Sequence, residues 1–177
     1  NAYEKLTKKK PDICHSFHLK DSGVRAIITL AMCLHFVLSL FMSFMKAYYE
    51  SVFVVGNIGI PYTQLAMETE DDSVTVAEVS SFQLETIMDF RPDVSAILNI
   101  TPDHLNRHHT MECYIAVKES ITSNQTEEDT CVLNYEDEVL REFGKTLNCQ
   151  VIFFSSLRIL EKGIYLNGEM IEYNDGQ

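Results

Sequence analysis

The chain has 177 residues, enough for one domain with a core of its own, and its 46% apolar and 23% charged content is that of a globular protein. With 26 acidic against 14 basic residues its formal net charge is −12. That excludes a general nucleic-acid binder, which needs a basic face, but not a nucleotide held in a local pocket. Five cysteines (Cys14, Cys33, Cys113, Cys131 and Cys149) make no CxxC pair and are odd in number, the pattern of reduced thiols in a cytoplasmic protein.

Residues 1–25 are basic and irregular; the run Lys8, Lys9, Lys10, Pro11 reads as a loop or fraying terminus. Residues 26–45 carry no formal charge except a possible one on His35, and Arg25 and Lys46 flank them. Their length and hydropathy suit a membrane span. Their distance from the start and the lack of a small-residue cleavage pattern do not suit a signal peptide. From Ser51 the pattern becomes regular. Ser51 to Val55 predicts a strand, and Gly56-Asn-Ile-Gly-Ile-Pro61 the loop after it, with two glycines for a close turn and Pro61 for the first turn of a helix over Tyr62 to Glu70. Val74 to Ala77 predicts a short buried strand that delivers Glu78 to its C-terminal end. A helix over Phe82 to Phe90 follows, ended by Arg91-Pro92-Asp93. The next apolar run, Val94 to Ile100, delivers Asp103 and His104 in the same way.

Met111 to Ser123 predicts a helix in which Met111, Tyr114, Ile115, Lys118 and Ile121 share a face, so Lys118 lies near apolar neighbours. Thr130 to Asn134 predicts a strand, Tyr135 to Leu147 an amphipathic helix with Val139, Leu140, Phe143 and Leu147 inward, and Gln150 to Phe154 another strand. Ile164 to Tyr173 predicts a β-hairpin with Asn167-Gly168 at its turn. Alternating strands and helices imply an α/β fold of three layers: a mainly parallel sheet with helices on both faces, and a C-terminal hairpin.

In an open sheet of this kind ligands sit beyond the carboxyl ends of the strands. Glu78 and His104 at two strand ends would make a metal-and-phosphate site, since a carboxylate and an imidazole suit a divalent ion that also binds phosphate. Taken singly, each residue has a plainer reading. A strand-end Glu is commonly solvated or capping, Ser80 serves equally as a helix N-cap, and Lys118 reads as a snorkelling helix lysine. Asp103 either orients His104 or caps a turn, and His108 and His109 read as solvated loop residues.

Three strings stand in order: Gly56-Asn-Ile-Gly-Ile-Pro61, Glu78-Val-Ser-Ser-Phe-Gln-Leu-Glu85, and Asn99-Ile-Thr-Pro-Asp-His-Leu-Asn-Arg-His108. Together, from about Tyr49 to Ser155, they resemble the Mur ligases. The resemblance implies an ATP-dependent amide ligase of peptidoglycan precursor synthesis. Such an enzyme phosphorylates a carboxylate to an acyl phosphate, which an amine then attacks; here the partners would be UDP-N-acetylmuramoyl-L-alanine and D-glutamate. It implies ATP and Mg2+ as cofactors, with Glu78 at the magnesium beside the ATP phosphates. His104 and a carbamylated Lys118 would stand at a second magnesium, and Asn57, Ser80 and Gln83 against the muramoyl substrate. Asn106 stands where the family usually has Asp, and His109 where Gly is common.

The chain departs from the family in two respects. No G-x-x-x-x-G-K-[ST] string occurs in it, and residues 26–45 occupy that place, Ala26 to Thr29 resembling the end of the family's first strand and Met45 to Tyr49 the end of its helix. A disrupted reading frame would produce this pattern. The expected organisation is an aberrant segment over residues 1–48, then part of a Mur ligase central domain over 49–177, one domain of the family's three. The alternative is a non-catalytic α/β module tethered to a membrane by residues 26–45.

Overall fold

The computed structural model describes residues 27–30 (backbone only), 43–57 and 60–177. Expectations for residues 1–25, for residues 31–42 of the apolar stretch and for Gly59 lie outside them. Eight strands form one sheet: β1 (Ile27–Leu30), β2 (Val52–Gly56), β3 (Val74–Glu78), β4 (Val94–Ile97), β5 (Thr130–Asn134), β6 (Gln150–Ser155), β7 (Gly163–Asn167) and β8 (Met170–Asn174). Their order is β2-β3-β1-β4-β5-β6-β7-β8, and all pair in parallel except the β7–β8 hairpin. The helices are α1 (Tyr62–Leu65), α2 (Ser81–Leu84), α3 (Leu105–His108), α4 (Met111–Glu119, extended by a 3-10 turn over Ser120–Thr122) and α5 (Glu138–Gly144). Residues 43–46 are also helical.

The two sheet faces follow from register. Thr29 pairs with both Ala77 and Ser95, so Ser95 and Ile97 share a face with Thr75 and Ala77, and Val74 and Val76 point the other way. The first face carries the main core: Ile97, Cys131 and Leu133 pack with Leu84, Ile121 and Leu140 from the helical side. On the other face Val74 and Val76 are covered by Met45, Tyr49, Val52 and Val54. Met45 therefore faces inward, while Phe44 is exposed.

Strand β1 supplies the sheet's interior from the segment before residue 49, hydrogen-bonded to β3 on one side and β4 on the other. This overturns a single membrane helix over 26–45. Among the described residues no helix is long and apolar enough to cross a membrane.

Several elements are shorter than their apolar patterns predict, and at α2 and α5 side chains claim backbone groups that a longer element would use. Helix α1 ends at Leu65 and not near Glu70. Helix α2 stops at Leu84 and does not run to Phe90, for Asn124 Nδ2 donates to the carbonyls of Met88 (2.7 Å) and Phe90 (3.0 Å). Helix α5 begins at Glu138 because Asp137 caps it, accepting from the amides of Val139 and Leu140. Tyr135 instead continues the ladder, its N–H donating to Phe154 O at 2.9 Å. Val139 consequently points outward, while Leu140 is fully buried and Phe143 and Leu147 pack on the core as predicted. Strand β4 ends at Ile97, short of Ile100. In the hairpin Asn167 still pairs with Met170, so the turn corners are Gly168 and Glu169. Gly168 alone has a positive φ, 60°, as a turn with glycine at its first corner requires.

Candidate functional site

All five residues of β3 are buried, which delivers the Glu78 carboxylate to the carboxyl edge of the sheet at only 3% exposure. Asn57, just past β2, pins it twice: its backbone N–H donates to Glu78 O at 2.8 Å and its Nδ2 to Glu78 Oε1 at 3.1 Å. This closeness requires glycine at position 56. Its φ is 116°, and a Cβ there would stand 2.1 Å from Glu78 O. The second oxygen, Glu78 Oε2, is buried with no hydrogen-bond partner among the described residues.

A buried, uncompensated carboxylate oxygen is costly unless a cation meets it. A hard divalent ion suits it, and Mg2+ needs only one or two protein carboxylates, with water and phosphate oxygens completing its shell. Among the described residues no three His, Cys, Asp or Glu side chains converge on one point. Glu78 therefore fits a magnesium held largely by phosphate and water, and does not fit an all-protein metal cage.

His104 follows β4, on the other side of β1 from β3, and so sits at the same edge of the parallel sheet as Glu78. It caps α3 in the left-handed region (φ 50°, ψ 29°), where its N–H donates to Asp103 Oδ1 at 2.8 Å. Its Nε2 lies 3.3 Å from Asp103 Oδ2, and its ring packs on Phe82 at 4.8 Å between centroids. Asp103 thus orients His104. Asp103 also raises the pKa of the Tyr114 phenol, second to the effect of burial itself.

Lys118 is buried on α4, its Nζ 5.2 Å above the Tyr114 ring, so it is not a snorkelling lysine with its ammonium in water. Ser80 and Gln83 are brought together, but as partners of each other. Ser80 caps α2 by accepting from the Gln83 amide at 3.4 Å, and Gln83 Oε1 accepts from Ser80 N–H and Ser80 Oγ at 2.9 Å each. Gln83 also lines a cavity of about 430 Å³ between α1 and α2, walled by Val55, Pro61, Tyr62 and Ala77.

His108 departs from its sequence reading: it is buried, not solvated, while His109 is exposed. Its Nε2 meets Ser81 Oγ at 3.0 Å, its Nδ1 lies 3.5 Å from Glu85 Oε1, and its ring stacks on Phe82. Arg107 grips the same Glu85 carboxylate with two nitrogens, at 3.1 and 2.6 Å, and holds its pKa below the usual carboxylate range. Sequence reasoning missed Glu85, Arg107, His108 and Tyr114 as a group. The available signal was spacing: Tyr114 and Lys118 are four apart and meet on one turn of helix.

The profile described as Mur ligase middle domain matches residues 29–173. Over 133 residues the chain is 65% identical to the UDP-N-acetylmuramoylalanine–D-glutamate ligase of Lachnoclostridium phytofermentans, covering 75% of this chain and 29% of that one. The chain thus spans less than a third of the length of such relatives. By structure it is similar to MurF from Acinetobacter baumannii (TM-score 0.62, 15% identity, 82% of this chain and 33% of that one). It is also similar to the MurF ligase of Thermotoga maritima in complex with ADP (TM-score 0.59, 21% identity, 73% and 32%). At these identities the likeness to solved structures is one of fold.

Proposed function

This chain belongs to the Mur ligase family through the family's middle domain, and from that premise we propose that it is the nucleotide- and metal-handling part of a ligase that joins D-glutamate to UDP-N-acetylmuramoyl-L-alanine. The observation that carries the reading is Oε2 of Glu78, without a hydrogen-bond partner among the described residues and buried at the carboxyl edge of a parallel sheet. In this reading ATP activates the muramoyl carboxylate as an acyl phosphate and the D-glutamate amine attacks it, in the cytoplasm.

Each residue then has a task. Glu78 holds the magnesium beside the ATP phosphates, and Asn57 keeps its carboxylate turned to leave one oxygen available. His104 and a carbamylated Lys118, the latter buried on α4, would hold a second magnesium. When bound, magnesium supplies charge neutralisation to the phosphates. Asn57, Ser80 and Gln83 orient the muramoyl substrate, the last two by exchanging their mutual hydrogen bonds for bonds to it. Because the sequence contains no G-x-x-x-x-G-K-[ST] string, the chain alone is expected to release no ADP.

The test is a graft. Residues 49–173 of this chain replace the matching segment of the Lachnoclostridium ligase, whose own preceding segment is retained. ADP release that depends on D-glutamate is expected, with loss of at least ~100-fold in the Glu78→Gln graft. A folded graft with no D-glutamate-dependent release, or one indifferent to Glu78→Gln, would sink the reading.

A further inference from the structure

Every side of the His108 ring is occupied. Nε2 meets Ser81 Oγ at 3.0 Å, and Nδ1 lies 3.5 Å from Glu85 Oε1. Phe82 stacks on it at 5.8 Å between centroids, and Tyr114 leans on it at 5.3 Å. The Ser81 hydroxyl can donate or accept, so Nε2 keeps this bond in either tautomer of the ring. Glu85 is in turn fixed by Arg107.

The contacts around this ring lead to residues of the proposed site. Phe82 packs on His104, and Tyr114 lies beneath Lys118. Ser81 opens α2 three residues after Glu78, directly beyond the two-residue link of Val79 and Ser80. A leucine of similar bulk could fill the same space without the cost of burying two ring nitrogens, but it would fix no orientation.

We propose that His108 is a positioning residue: its bond to Ser81 and its packing between Phe82 and Tyr114 set where His104 and Lys118 stand relative to each other. Its use in metal binding rests on the function proposed above; its geometry does not. Supporting groups of this kind typically change metal affinity by about 10- to 100-fold when removed.

The experiment uses the 177-residue chain as His108→Leu, His108→Gln, Ser81→Ala and, as a remote core control, Leu140→Ala. The readouts are the NMR signals of the His104 ring and the Lys118 side chain without metal, then Mn2+ affinity as the probe. His108→Leu is expected to move both signals and to weaken Mn2+ binding ~10-fold or more. Ser81→Ala should move them the same way, and His108→Gln, which returns a polar atom toward Ser81, should restore most of both. Leu140→Ala should lower stability and leave both signals in place. Unmoved signals in His108→Leu would overturn the proposal. So would equal movement in Leu140→Ala, or moved signals with unaltered Mn2+ affinity. If His108→Leu does not fold, Ser81→Ala decides the same comparison. Absence of Mn2+ binding by the unaltered chain removes only the metal readout, since the magnesium proposed above is held largely by phosphate and water, and the NMR comparison then decides the positioning while the graft decides the function.

Discussion

His109 occupies φ 68°, ψ −47°, and the N–H of Thr110 donates across it to His108 O at 2.8 Å. That is a γ-turn of the strained hand, a conformation in which a Cβ is unwelcome. The family commonly has glycine here, and the backbone now gives the reason. His109→Gly is therefore expected to stabilise the fold by about 1 kcal/mol, read as a higher urea midpoint at unchanged slope. Gly56 is the converse case: its Cβ would meet Glu78 O at 2.1 Å. Gly56→Ala should cost at least ~2 kcal/mol and disturb Glu78, and equal urea midpoints for variant and parent would refute the close approach.

Among the elements, the connection into β4 and the one into β5 are tied by Arg91 and Asp129. Arg91 Nε donates to Asp129 Oδ2 at 2.8 Å and Nη2 to Oδ1 at 3.2 Å, while the Thr126 amide donates at 2.6 Å. Burial pushes the Asp129 carboxyl up, but these hydrogen bonds and the Arg91 charge outweigh it and hold its pKa below the ordinary 3.8. A carboxyl with a depressed folded pKa adds stability above its unfolded pKa and loses it as pH falls through the folded one. Melting temperature should therefore fall as the pH drops below about 4. Part of that slope should vanish in Asp129→Asn, and an identical slope in the variant would assign the acid loss elsewhere. At the start of α2 the Ser80–Gln83 capping box carries the whole cap. Ser80→Ala should cost ~1 kcal/mol in thermal or urea unfolding.

Across the whole molecule, the sheet encloses Cys131 completely and desolvation pushes its thiol up to about 12. Cys149, next to it in the same core, is raised in the same direction and for the same first reason. Cys113 is exposed. Alkylation followed by mass spectrometry should label Cys113 at once, and Cys131 only at the rate of global unfolding. Early labelling of Cys131 in the native chain would mean that β5 opens locally. The parallel order also explains how one edge of the sheet gathers Glu78 and His104, 26 positions apart in sequence.

Local pattern determined much of this protein. Apolar runs bounded by turn residues located β2 to β6 and the hairpin, because strand period and turn chemistry act over a few residues. The order of three strings carried the family. The bounds of α2 and α5 were not legible, since carbonyls and amides of their longer patterns are taken by Asn124, Asp137 and the β-ladder. Only the tertiary structure inserted Ile27–Leu30 between β3 and β4, because pairing partners of a parallel strand lie far along the chain. Only it showed His108 buried between Ser81, Phe82 and Tyr114: burial of a histidine at the end of the short helix α3 depends on what packs over it, and the covering residues come from two other elements.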